Sequence, residues 1–371
     1  MAPPRDLALE EKVGQLLWIG FQGTTMNPAL RSLLERVRPG GLILFSRNIE
    51  TAGQVRRLTD ALFGATRIPP FIALDQEGGR VSRLKSILGP TQTPFDLARR
   101  ARPETAVRLQ ASATAAALKS LGFNVNFAPV LDLSGPDPKN GIGDRAFGET
   151  PLTVCRLARV ALDAHLRAGV LPVGKHFPGL GSARDDTHLA LPVIRKPRSL
   201  LWREDLLPYR RLRRRLPMIM AGHACYPAFQ GHNITPATLA PEIVDALLRR
   251  RIGFRGLILT DDLEMGAVDQ EEGAATQALR ALAAGNDGLM FCSSETRIVE
   301  ARDAVLAAVQ DGDVEPARID RSVRRILRLK KRSLVERRRA PFAPVALKRS
   351  RAALASLGGG RESGFDPTAR A

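Results

Sequence analysis

Eight short apolar runs, each closed by polar or charged residues, constrain this chain more than any other feature. They are VGQLLWIGF (13–21), GGLILF (40–45), FIALD (71–75), VNFAPVLDL (125–133), VLPVGKH (170–176), PMIMAGH (217–223), GLILTDD (256–262) and DGLMFC (287–292). Runs of this length, bounded by turn residues, read as strands buried on both faces. Segments of helical period lie between them. In TAGQVRRLTDALF, Thr51 and Gln54 match a capping box, and Val55, Leu58 and Leu62 share one face. In PEIVDALLRR, Pro241 stands at the start, ahead of Val244, Leu247 and Leu248. Strand–helix alternation of this kind builds a parallel sheet, and eight such units predict one α/β domain folded as a (β/α)₈ TIM barrel. An open doubly wound sheet has a similar period, but no Gly-rich phosphate signature follows the first run.

The barrel is expected over residues 1–335 and a basic, disordered C-terminal tail over 336–371, with 44% hydrophobic residues available for a core. Net charge is +18, which raises the question of a nucleic-acid partner. Residues 321–371 hold fifteen Lys or Arg against three Asp or Glu, so +12 of that charge sits near the C-terminus. The tail mixes Arg, Pro and Gly without lasting periodicity and without interleaved aromatic rings, as expected of a solvated appendage rather than a nucleic-acid or membrane surface. Cys155, Cys225 and Cys292 are scattered and lack CxxC spacing, which suggests buried thiols in a reducing compartment. The first residues show no apolar h-region or small-residue cleavage site, and no run of about 18 apolar residues occurs. These features predict a cytoplasmic, soluble monomer.

Polar residues recur immediately after the apolar runs: Asp75, Gln76 and Glu77, then Asp132, Lys175 with His176, His223, and Asp261 with Asp262. In a parallel barrel these strand ends converge on one rim, where active sites are assembled. A carboxylate ending a buried strand suits a nucleophile or an electrostatic stabiliser. Because neighbours on a strand point to opposite sides, only one of Asp261 and Asp262 is expected to face the pocket. The stretch KHFPGLGSARDDTH (175–188) carries a second signal. Asp186 and His188 are one residue apart, so in extended chain the carboxylate can orient the imidazole, whose unperturbed pKa of about 6.5 suits proton transfer in both directions. Asp75, Arg80 and Arg83 in DQEGGRVSRL, Arg145 in GIGDRAFG, and Lys175 with His176 offer directed donors and acceptors for a hydroxyl-rich ligand.

Taken together, these segments resemble the β-N-acetylglucosaminidases of glycoside hydrolase family three, of the cytoplasmic type used in bacterial peptidoglycan recycling. GGLILFSRNI, ALDQEGGRVSRL, NFAPVLDL, IGDRAFG, GKHFPG, DDTH, PATLAP, GFRGLILTDDLEMGA and AAGND carry the resemblance over nearly all of residues 10–330. What it implies is retaining hydrolysis of terminal β-linked N-acetylglucosamine, from muropeptides, without metal or organic cofactor. By motif position, Asp261 resembles the nucleophile, and His188 the general acid/base with Asp186 as its partner. Asp75, Arg83, Arg145, Lys175 and His176 resemble the positions that hold the sugar. Leu180 departs from the family, whose KHFPGHG run has a histidine there. Alternative readings are a phosphorylase using phosphate in place of water, a sugar-binding barrel with an impaired loop, and a metal-dependent hydrolase built on His176, His188 and His223.

Overall fold

The computed structural model describes residues 6–135, 141–183, 191–268, 272–335, 339–358 and residue 366. Its centre is a closed barrel of eight parallel strands: β1 (Leu17–Ile19), β2 (Gly41–Ile43), β3 (Phe71–Leu74), β4 (Val125–Asn126), β5 (Leu171–Phe177), β6 (Met218–Ala221), β7 (Leu257–Asp262) and β8 (Gly288–Phe291). Each strand pairs with its sequence neighbours and β1 pairs with β8, which closes the ring. Amphipathic helices cover the outside, among them α1 (Pro28–Val37), α2 (Ala52–Gly64), α3 (Pro103–Ser120), α4 (Pro151–Ala168), α5 (Ala274–Ala284), α6 (Glu295–Gln310) and α7 (Pro316–Lys330). Thr51 caps α2 as its sequence requires, accepting a hydrogen bond from the Gln54 amide. Among the described residues no helix is long and apolar enough to cross a membrane.

All eight expected strands exist, most of them shorter than their apolar runs, and the first and fourth are cut back furthest. Val13–Leu16 finish a helix (Leu9–Leu16) and only Leu17–Ile19 pair in the barrel, because an apolar helix face and a buried strand look alike in so short a window. In the fourth run regular pairing ends at Asn126; beyond it the Phe127 amide donates to the Leu74 carbonyl at 3.0 Å, the Val173 amide to the Ala128 carbonyl at 3.0 Å, and an isolated bridge joins Val130 to Lys175, while Pro129 has no N–H to donate.

Aromatic rings fill the barrel. Trp18 is fully buried, stacks on Phe71 at 5.2 Å between centroids and tilts against Phe127 at 6.1 Å. The adjoining strands make room with glycine: a Cβ on Gly41 would lie 2.4 Å from the Trp18 ring, and one on Gly288 would lie 2.8 Å from its Nε1.

Residues expected to be solvated also include a helix. Within the region set apart as a disordered tail, α8 (Pro344–Ala355) packs against α3, burying Leu347, Ser350 and Leu354 at helical spacing. The approach to it is pinned by Arg56 Nη1 donating to the Ala340 carbonyl at 2.8 Å and by the Ala343 amide donating to Ser120 Oγ at 3.0 Å. Only two leucines mark its buried side among exposed Lys348, Arg349 and Arg351, so composition outweighed the pattern. Disorder is therefore not a property of this part of residues 336–371.

Because the Trp18 ring leaves no space beside β2, Gly41→Ala is expected to lower stability by about 1–3 kcal/mol through overpacking. Denaturant unfolding would measure it, and Trp18→Phe should cost less in the Gly41→Ala background than alone.

Candidate active site

Four of the sequence-derived site residues meet in one buried ion network at the C-terminal ends of the strands. Lys175, on β5, donates through Nζ to Asp75 Oδ1 at 2.5 Å and to Glu77 Oε1 at 2.6 Å. Arg145 grips Glu77 bidentately, Nε to Oε2 and Nη2 to Oε1, both at 2.8 Å. Arg83 Nη2 lies 3.8 Å from the other oxygen of Asp75. Glu77 sits on a short hairpin (Gln76–Gly78 with Val81–Ser82) that rises from the end of β3. Arg80, from its turn, holds the segment carrying Arg145 by bonds to Asp144 Oδ1 and to the Gly141 and Ile142 carbonyls.

Mutual pairing decides the charge states. Burial would raise the Glu77 carboxyl, but Arg145 and Lys175 outweigh it and hold the group far below the ordinary carboxylate value. For Lys175, burial would favour the neutral amine; Asp75 and Glu77 reverse that and keep it an ammonium ion.

His176 follows Lys175 across a cis peptide bond. Its Nδ1 lies 2.7 Å from Asp132 Oδ2, and Asp132 also accepts from the His176 amide at 3.2 Å and the Leu180 amide at 2.7 Å. The hydrogen-bond pattern assigns the proton to Nδ1 and leaves Nε2 toward Arg145 Nη2, 3.5 Å away. Leu180, at the position where a histidine was expected, is buried in the same apolar cluster as Ile194 and Tyr226. Its main chain still ties this turn to Asp132. Next along, Gly181 must be glycine, since a Cβ would sit 1.7 Å from the Leu133 carbonyl oxygen. The Tyr226 hydroxyl donates to the Gly179 carbonyl at 2.7 Å from the other side.

At the end of β7 the adjacent carboxylates diverge, as strand alternation requires. Burial acts to raise Asp261, but His223, His176 and Lys175 together bring it below the ordinary aspartate value, so it is ionised. Asp262 is buried with Glu264 and Asp261 for neighbours and is pushed up to about 8, so it is mostly protonated at neutral pH. Its Oδ1 accepts the Glu264 amide at 3.1 Å, while His223 Nε2 lies 2.8 Å from its carbonyl and fixes the strand end. One carboxylate thus presents negative charge to the network, and its neighbour is withdrawn from that chemistry.

The structure therefore brings together Asp75, Arg83, Arg145, Lys175 and His176, and it couples Asp261 to Lys175 and His176 electrostatically. Asp186 and His188 lie outside the described residues. Glu77 and Asp132 received no individual role from the sequence, although each follows an apolar run; their function, pairing Arg145 and Lys175 and steering His176, needs partners distant in sequence. Asp366 was also missed: its carboxylate pairs with Arg83 Nη1. Gln92 Nε2 and Arg100 Nη2, each at 2.5 Å, hold the Gly358 and Leu357 carbonyls at the start of that same terminal stretch. Among the described residues, no three or more His, Cys, Asp or Glu side chains are grouped to hold a metal ion.

The Asp262 proton has a consequence for stability. An unfolded chain releases it near 3.8 and the folded one near 8. Between those values the folded state keeps a proton that the unfolded state has lost, so stability falls as pH rises and levels off above the upper value. Asp262→Asn is expected to remove that slope, read as the change in denaturant midpoint between about pH 5 and about pH 8.

Known proteins share the sequence pattern and the fold. The sequence profile described as "Glycosyl hydrolase family 3 N terminal domain" matches residues 8–329. A beta-hexosaminidase from Alkalilimnicola ehrlichii is 39% identical over 303 residues, spanning 80% of this chain and 85% of that protein. Another, from Thioalkalivibrio sulfidiphilus, is 35% identical and covers 82% of this chain and 87% of its own length. Among solved structures, a glycoside hydrolase family 3 beta-N-acetylglucosaminidase from Paenibacillus sp. superposes with a TM-score of 0.84 at 34% identity, covering 94% of this chain and 69% of that one. Native NagZ from Neisseria gonorrhoeae superposes with a TM-score of 0.76 at 25% identity over 93% and 98% of the two chains. The chain belongs to glycosyl hydrolase family 3 and is a glycoside hydrolase.

Proposed function

We propose that the chain is a retaining exo-β-N-acetylglucosaminidase that removes terminal β-linked N-acetylglucosamine, acting on muropeptides in cytoplasmic peptidoglycan recycling. The carrying observation is the ionised Asp261 carboxylate at the end of β7, beside the cationic and imidazole groups of Lys175 and His176. The beta-hexosaminidase names of the relatives support the substrate class.

In the first step an Asp261 oxygen bonds to the anomeric carbon as the glycosidic C–O bond breaks, and protonated His188, partnered by Asp186, gives its proton to the leaving oxygen. In the second, neutral His188 takes a proton from water, the water oxygen bonds to the anomeric carbon, and the Asp261 ester bond breaks. Two inversions give retention. Asp75, Arg83, Arg145, Lys175 and His176 serve as the sugar-holding set; their internal pairing pre-orients them, so little side-chain freedom is lost when hydroxyls arrive. Within the set, Arg145 is already engaged by Glu77 and by the Gly141 carbonyl, and it contributes by holding Glu77, which in turn grips Lys175.

Asp261→Asn is expected to cut release of the aryl alcohol from an aryl β-N-acetylglucosaminide by at least about a thousandfold without loss of the folded state. In the wild type, a 5-fluoro N-acetylglucosaminyl fluoride should leave an adduct that peptide mass spectrometry places on Asp261. Unchanged turnover in the variant would end this reading. Release of sugar 1-phosphate when phosphate is added would change the acceptor from water to phosphate.

The Asp366 contact yields a separate expectation. Substituting Asp366→Asn frees Arg83 of a competing carboxylate, so KM should fall severalfold with little change in kcat, as measured by steady-state kinetics on the same substrate.

A further inference from the structure

The end of the barrel opposite the ion network holds a cavity of about 800 Å³, lined by the turns that lead into β5, β6 and β7 and by the last turns of α7. Arginine dominates its wall. Arg213, Arg214 and Arg215 come from the turn before β6, and Arg255 from the turn before β7. Arg325 and Arg328 come from α7, with Arg332 just beyond it. Their cationic charge meets little opposition: Arg215 pairs with Asp163 at 2.8 Å and Arg325 with Asp287 at 2.8 Å. Asp287 is already shared with Arg249. Among the described residues, no carboxylate lies within ion-pair distance of Arg214, Arg255, Arg328 or Arg332, and all four are exposed. Crowding like charges into one concavity opposes folding, and a stable barrel has no structural need of it.

We propose that this cavity is a binding site for a compact oligophosphate, two or more linked phosphoryl groups, free or carried on a nucleoside. Guanidinium groups arriving from three directions suit the bidentate, multivalent recognition of phosphoryl oxygens better than point-charge attraction would. The volume falls in the range of small-ligand sites, roughly 300–1,000 Å³. Between the arginines the wall is apolar, with Leu171, Pro217 and Leu257 at the strand starts, and could receive a base or another flat group. Among the described residues no aromatic ring lines the cavity, so the stacking platform typical of single-stranded nucleic acid is missing from its described wall. Its concave shape is also the wrong form for a flat lipid surface.

The test is calorimetric titration of the full chain with tripolyphosphate at about physiological salt, where nonspecific attraction is screened. Two variants carry the same loss of charge: Arg214→Ala, Arg255→Ala and Arg328→Ala in the cavity, or Arg108→Ala, Arg349→Ala and Arg351→Ala elsewhere on the surface. Melting temperatures without ligand no lower than that of the wild type confirm that both fold. Saturable binding that weakens at least tenfold in the cavity variant and not in the surface variant supports the site. A nucleoside triphosphate that binds as well as tripolyphosphate, or more tightly, supports it too, the second case showing that the apolar wall contributes. The site is overturned if binding does not saturate, if both variants lose affinity equally, or if only a DNA oligonucleotide or anionic phospholipid vesicles bind.

Discussion

Asp75, Glu77, Arg145 and Lys175 are buried charges that can exist only because each has an opposite partner within reach. Removing Glu77 would leave Arg145 buried without a carboxylate and Lys175 with one fewer, at a cost of about 3–5 kcal/mol. The four come from β3, its hairpin, the segment after β4, and β5, so one electrostatic requirement fixes how neighbouring barrel units stand relative to one another at the rim. The same requirement holds the side chains in place before any ligand arrives. Stability and pre-organisation are here the same interaction, and a search for ligand-binding residues by exposure alone would pass over it.

The end of β7 shows how environment assigns chemistry. Asp261 and Asp262 are consecutive and covalently alike, yet one is brought down by two imidazoles and an ammonium group while the other is driven up by burial and two acidic neighbours. Strand alternation produces the divergence: it directs one carboxylate to the cationic network and the other to Cys292 and Glu264.

Much of this was legible in the sequence. A parallel barrel announces itself by apolar runs that lack alternation, and its rim by the polar residue that ends each run, so Asp75, Lys175, His176 and Asp261 could be named before any coordinates. What remained hidden has physical reasons. Val13–Leu16 were read as strand because a window as short as VGQL does not distinguish a helix end from a buried strand. The hub role of Glu77 depends on Arg145 and Lys175, 68 and 98 residues away, and no local pattern carries that distance. Helix α8 hid behind its own charges, and the pairing of Asp366 with Arg83 joins segments 283 residues apart.

Trp18 gives the barrel a solid interior. With its indole between Phe71 and Phe127, and Gly41 and Gly288 close beside it, the described side chains plug the barrel interior between the two ends. Traffic is accordingly one-sided: a ligand bound at the rim enters and departs through the same doorway.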